Sequence, residues 1–93
     1  MAEVRYFGRA EGRVQGVGFR FFVQQTALEL HVTGWVKNMD DGSVTMEMQG
    51  EEEAIDRLEA AIRKGDGYIK VRSLSLEPIA LDEKKKKGFS IRY

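Results

Sequence analysis

The residues of this 93-residue chain that could do chemistry fall in two short stretches. The first is Gln15-Gly16-Val17-Gly18-Phe19, with Arg20 directly after it. Glycine at 16 and 18 frees the backbone to turn consecutive N–H groups toward one point, a concave nest for an anion that the start of a helix would reinforce. Arg20 adds a planar fork able to hold two oxygens of a phosphate at once, which a lysine cannot copy. The second stretch is Asn38, just ahead of Asp40-Asp41-Gly42. Its uncharged amide offers an acceptor and a donor and could hold a water molecule. Each stretch also has a plainer reading: a glycine-rich connector whose Arg20 faces water, and an asparagine favoured by the turn beside it.

Other chemistries fail on residue type or spacing. The chain has no cysteine, hence no thiol nucleophile, disulfide or thiol redox couple, and its one histidine, His31, supports neither a Ser-His-Asp arrangement nor a multi-histidine metal site. His31 reads as a structural or exposed residue near the end of a helix. Gly16-x-Gly18 is not a dinucleotide fingerprint, because Phe21 stands where the third glycine belongs, and no Gly-Lys-Ser/Thr follows to make a Walker loop. Glu51-Glu52-Glu53 lacks the spaced ligands of a calcium loop and reads as acids at a helix start. The Lys84 to Lys87 run has no interleaved aromatic residue and reads as a solvated loop.

The periodicity says what must position the two stretches. Residues 5–12 suggest a first strand ending in glycine. From Phe19, apolar Phe22, Val23, Ala27 and Leu30 recur on one face of a helix, so the nest would open straight into a helix N-terminus. Val32 to Asn38, the Asp40-Asp41-Gly42 turn and the alternation of Val44, Met46 and Met48 describe a hairpin with one apolar face. A second helix runs through Ala54, Ile55, Leu58, Ala61 and Ile62, with acids at its start, Arg63-Lys64 at its end and Gly65 as a left-handed cap. Ile69 and Val71 share one parity and Leu74 and Leu76 the other, which predicts a bulge near Arg72-Ser73 in a fourth strand. Phe89, Ile91 and Tyr93 alternate as a short final strand. This β-α-β-β-α-β order predicts an α+β fold, a ferredoxin-like sandwich with two helices on one face of an antiparallel sheet.

Size and charge set the outer limits. Residues 1–93 are too few for a doubly wound nucleotide-binding sheet or an eightfold barrel, so one domain is expected. Hydrophobic residues at 42% and charged residues at 32% describe a folded globule rather than a disordered chain. Fifteen basic and fifteen acidic residues cancel, leaving no bulk attraction for nucleic acid or an anionic membrane. No signal-peptide core or membrane-length apolar run appears, so a cytoplasmic protein is expected, and a monomer because one sandwich accounts for every apolar face.

Taken together, Gly12-Arg13-Val14-Gln15-Gly16-Val17-Gly18-Phe19-Arg20, then Gly34-Trp35-Val36-Lys37-Asn38, Gly42-Ser43-Val44 and Gly50 resemble both signatures of the acylphosphatase family, and the resemblance runs over nearly the whole chain. It implies a hydrolase that needs no metal or other cofactor and cleaves carboxyl-phosphate anhydrides to a carboxylate and inorganic phosphate. It also implies that Arg20 and the amides of Gln15, Gly16, Val17, Gly18 and Phe19 bind the phosphoryl group, that Asn38 orients the attacking water, and that phosphate or another oxyanion is product or inhibitor. Ala10, where the family prefers a larger aliphatic residue, and the proline-free loop Gly65-Asp66-Gly67-Tyr68 depart from the pattern. The chemistry suits such a substrate: a carboxylate whose conjugate acid has a pKa of about 4 leaves without a general acid, as an alkoxide could not. Two other readings remain: a non-catalytic anion-binding module on the same scaffold, and a ferredoxin-like RNA binder. Against the latter stand zero net charge and the expected lack of an aromatic pair on the central strands.

Overall fold

A computed structural model describes residues 2–84 and 87–93. Lys85 and Lys86, the middle of the lysine run, lie outside the described residues. The elements are β1 (Glu3–Arg13), α1 (Phe19–Glu29), β2 (Thr33–Asn38), β3 (Val44–Glu51), α2 (Glu52–Lys64), β4 (Lys70–Pro78) and β5 (Phe89–Arg92). They form one five-stranded sheet in the order β4-β1-β3-β2-β5, with α1 over β2 and β5 and α2 over β4, β1 and β3. The α+β ferredoxin-like sandwich expected from the periodicity is the fold. One detail differs: β1 to β4 pair antiparallel, but β5 runs parallel to β2, so the sheet is mixed.

Alternation places the core. Val44, Met46 and Met48 on β3 and Val36 on β2 are buried under the helices, where Phe19, Val23 and Ala27 of α1 and Ile55, Leu58 and Ile62 of α2 meet them. Burying a side chain of this size stabilises by roughly 1.5–3 kcal/mol. Ala10, small where a larger residue was expected, is fully buried in the same cluster. The second helix begins with Glu52 and Glu53 in its first turn and ends with Arg63 and Lys64, as its dipole favours. Gly65 has the positive φ of +72° expected of a cap, but its ψ of −172° is extended rather than left-handed helical. The chain turns sharply there, and a Cβ on Gly65 would stand 2.6 Å from the Ile69 carbonyl oxygen. The bulge falls at Arg72, since Glu11 pairs with Ser73 and Gly12 with Val71.

β4 and β5 lie at opposite edges of the sheet, and the described residues that follow β4 run along the helix-free face. The Ile79 N–H donates to the Arg5 carbonyl at 2.9 Å, and Arg5 Nη1 donates to the Ala80 carbonyl at 2.9 Å. Gln49 grips Asp82 with both ends of its amide, Nε2 donating to the carbonyl at 3.2 Å and Oε1 accepting from the N–H at 2.8 Å. That explains why Gln49, on the polar parity of β3, is buried. The strap delivers β5 to the free edge of β2, in register so that Arg92 lies opposite Lys37, one residue short of Asn38.

The helix-free face also corrects the expectation about aromatic residues. Phe7 on β1 and Trp35 on β2 both lie across from Glu47 and meet edge to face, with ring centroids 6.5 Å apart. Sequence distance hid the pair: one ring lies on each side of β3, and neither strand shows two aromatics at the spacing that marks a stacking platform. Around the pair Arg5 meets Glu47 and Arg9 meets Asp41, while the Arg92 guanidinium stacks on the Trp35 ring, 4.6 Å from its centre.

Candidate active site

Three strand ends converge at one end of the molecule: the exit of β1, Asn38 at the end of β2, and Arg92 at the end of β5. Between β1 and α1, residues 15–18 form a tight bend in which Gly16 has φ +72° and Gly18 has φ +79°. No heavy atom lies within 4 Å of a Cβ built at either glycine, so conformation rather than crowding demands them. For an L-residue this left-handed backbone costs roughly 1–2 kcal/mol. Among the described residues, the N–H groups of Gln15 to Phe19 donate to no backbone carbonyl and no side chain; the first helical bond in this region is Phe22 N–H to the Gly18 carbonyl, 3.0 Å. These five successive N–H groups have no protein partner among the described residues.

The electrostatics point the same way. No acidic residue sits in the first turn of α1, whereas α2 has two. Arg20 adds a positive charge to a helix end that is already positive, an arrangement that an anion relieves. No acidic side chain among the described residues pairs with Arg20. Its Nη1 donates to the Arg92 carbonyl at 3.1 Å, and its guanidinium carbon lies 4.7 Å from the centre of the Tyr93 ring. One bond and one stacked face orient the fork while most of its five donors stay available.

Asn38 is brought to the same place by the hairpin. It pairs with Val44 at the last rung of β2–β3, and the turn beyond closes through Met39 N–H to the Ser43 carbonyl, 2.8 Å, and Gly42 N–H to the Met39 carbonyl, 3.1 Å. Asn38 Oδ1 is buried and has no hydrogen-bond partner among the described residues. A buried acceptor left unsatisfied costs about 1–3 kcal/mol.

Two side chains fix the turn that carries Asn38. From the nest, Gln15 Nε2 donates to the carbonyls of Met39 at 2.8 Å and Ser43 at 2.9 Å. From β1, Arg9 Nη2 reaches Asp41 Oδ2 at 2.7 Å, while Asp41 Oδ1 accepts from the Ser43 hydroxyl at 2.6 Å and the Ser43 N–H at 3.0 Å. The Ser43 hydroxyl and N–H, then Arg9, hold the Asp41 carboxyl down to about 2.

The outcome is a cavity of about 320 Å3 lined by Gly16, Gly18, Phe19, Arg20 and Asn38, with Val14, Phe21, Ile91 and Tyr93. Of the residues that the sequence singled out, Gly16, Gly18, Phe19, Arg20 and Asn38 meet there; Gln15 and Val17 do not line it. Gln15 turns its side chain to the hairpin, and Val17 packs against the core. The sequence reading missed Phe21, Ile91, Arg92 and Tyr93; the alternation of Phe89, Ile91 and Tyr93 announced the strand but nothing local announced its neighbour. Volume does not distinguish the cavity. Hollows of about 450 and 460 Å3 lie at Glu51–Glu53 and at Arg63–Lys70, but the first is walled by acids and the Arg63 guanidinium in the second is already committed to Glu59 and the Leu74 carbonyl.

A ferredoxin-like sandwich thus brings together, at one cavity, two glycines of a bend with unpaired amides, an arginine without a carboxylate partner among the described residues, and Asn38. The acylphosphatase family model matches residues 6–91. An acylphosphatase of Geobacillus kaustophilus is 51% identical over 85 residues, covering 89% of this chain and 87% of that one, and one of Clostridium beijerinckii is 44% identical over 90 residues, covering 97% and 99%. The crystal structure of acylphosphatase from Bacillus subtilis superposes with a TM-score of 0.91 at 40% identity, covering 97% of this chain and 99% of that one. The chain belongs to the acylphosphatase family. It is a hydrolase of acyl phosphates, releasing a carboxylate and inorganic phosphate. No helix among the described residues is long and apolar enough to cross a membrane.

Proposed function

We propose that the cavity at the head of α1 is the active site, that the amides of Gln15 to Phe19 and the Arg20 guanidinium bind the phosphoryl group, and that Asn38 places the attacking water. The observation that carries this reading is that Arg20, the two glycines and Asn38 border one cavity.

Phosphoryl transfer through a loose transition state asks chiefly for alignment and for charge stabilisation at the equatorial oxygens. The free N–H groups and the guanidinium fork are donors of that kind, and Arg92 with Tyr93 keeps the fork from folding back into water. The Asn38 carboxamide holds the water by a hydrogen bond and aims its oxygen at phosphorus. An amide is no base at neutral pH, so the proton passes to a phosphoryl oxygen of the substrate. The new bond joins water oxygen to phosphorus, the phosphorus–acyl oxygen bond breaks, and its electron pair leaves on the carboxylate. That group departs unprotonated at neutral pH, so neither a general acid nor a metal ion is required. Residues 1–93 then act as one cytoplasmic, monomeric catalytic unit that takes small acyl phosphates.

Hydrolysis in water enriched with heavy oxygen tests the reading. The label should enter inorganic phosphate and be absent from the carboxylic acid; label in the acid would place the attack at carbon and overturn the role given to Asn38. Rates should be unchanged by chelators, and a metal requirement would contradict the carboxylate leaving unaided.

A further inference from the structure

We infer that Gln15 is a positioning residue for the attacking water: its side chain sets the distance between the phosphate nest and Asn38, and losing it slows turnover without weakening the hold on phosphate. The inference rests on the reading that Asn38 places the water.

The two halves of the site belong to different elements. The nest is the bend between β1 and α1, whereas Asn38 ends β2 on the last rung of the ladder with β3, opposite Val44. The turn beyond Asn38 closes on itself through Met39, Gly42 and Ser43. Arg9 reaches that turn at Asp41, but it does so from β1 and not from the nest, so it does not fix the separation of the two halves.

Gln15 spans them directly. Its N–H belongs to the nest, and its Nε2 donates to the Met39 carbonyl at 2.8 Å and to the Ser43 carbonyl at 2.9 Å. Among the described residues, no other hydrogen bond links residues 14–20 to residues 38–43. Both hydrogens of the primary amide are used, one on each carbonyl. Glutamate has the same length but no hydrogen to give at neutral pH, and asparagine is one methylene short. The place therefore asks for two donors on one neutral nitrogen at the reach of glutamine.

Distance is what such a link controls. Attack needs the water oxygen about 3–3.5 Å from phosphorus and in line with the departing carboxylate, and a misplacement of about 1 Å costs about 10²-fold in rate. Phosphate binding makes no such demand on the hairpin, because the Arg20 fork is held by the Arg92 carbonyl and the Tyr93 ring. Substitution of the Gln15 side chain should therefore act on kcat and spare phosphate affinity.

The test is a double-mutant cycle, with benzoyl phosphate as substrate and inorganic phosphate as inhibitor, on the wild type, Gln15→Met, Asn38→Ala and the double variant. Gln15→Met alone should lower kcat about tenfold while the phosphate inhibition constant stays within about threefold. In the Asn38→Ala background the same substitution should change kcat by less than about twofold, since no placed water remains to be misplaced. A mere loss of folded protein would lower both backgrounds by the same factor. Gln15→Leu should repeat the pattern and stands in should the methionine variant fail to fold. Unchanged kcat in both Gln15 variants, or equal losses in the two backgrounds, would overturn the inference and leave the role of Asn38 standing. Wild-type turnover in Asn38→Ala would overturn that role itself.

Discussion

A guanidinium and a primary amide divide the labour at this site, and substitution can separate them. Arg20 acts by geometry as much as by charge: its fork is held between the Arg92 carbonyl and the Tyr93 ring, and an ammonium has no plane to stack or fork. Arg20→Lys should therefore lower kcat/KM by at least about 10²-fold and weaken inhibition by inorganic phosphate, both measurable in steady-state assays. Asn38→Ala should instead lower kcat on the order of 10²-fold while the phosphate inhibition constant stays within a few-fold, because water placement is lost and the nest is not. Weaker phosphate inhibition with unchanged turnover would exchange these roles. Both residues were legible in the sequence because arginine after Gly-x-Gly and asparagine before an Asp-Asp-Gly turn are local patterns. Tyr93 and the Arg92 carbonyl were not, because their role depends on β5 crossing the molecule to lie beside β2, a contact 72 residues distant along the chain.

Among the elements, the hairpin between β2 and β3 matters most, since it carries Asn38 and is held from two sides by Gln15 and Arg9. Asp41 joins Arg9 to Ser43 across its tip, and these partners lower its carboxyl from 3.8 to about 2. A group whose pKa falls on folding adds stability above its unfolded pKa and loses it as pH drops through the folded value. Wild type should thus exceed Asp41→Asn in denaturant midpoint above about pH 4, with the gap closing between pH 4 and pH 2. A gap that persists undiminished at pH 2 would contradict the ionic part of this clamp. Element types and order followed from periodicity, as did the bulge at Arg72, where a parity change between Val71 and Leu74 betrayed the extra residue. The direction of β5 did not follow, because Phe89, Ile91 and Tyr93 alternate alike in a parallel or an antiparallel neighbour; the strap gripped by Arg5 and Gln49 decides it.

Across the whole molecule, a net charge of zero conceals a separation of charge. Lys37 beside Arg92 and Arg13 beside Lys70 lie at the cavity end with Arg20, while Glu3 beside Glu51, with Glu52 and Glu53 next to them, occupies the far end of the sheet. Screening acts over about 8–10 Å at physiological salt, so the cationic end draws an anionic substrate mainly at low ionic strength. We expect kcat/KM to fall several-fold as inert salt rises from about 10 to about 300 mM, with kcat nearly constant. A flat response would assign substrate capture to contacts inside the cavity alone.

The most direct test of the account is a titration of the uniformly 15N-labelled protein with inorganic phosphate, followed by amide and arginine NMR signals. The largest shifts should fall on the N–H groups of Gln15 to Phe19 and on the Arg20 guanidinium, with Asn38 close behind. Shifts centred instead on the cationic loop from Arg63 to Lys70, with the signals of residues 15–20 unmoved, would contradict it.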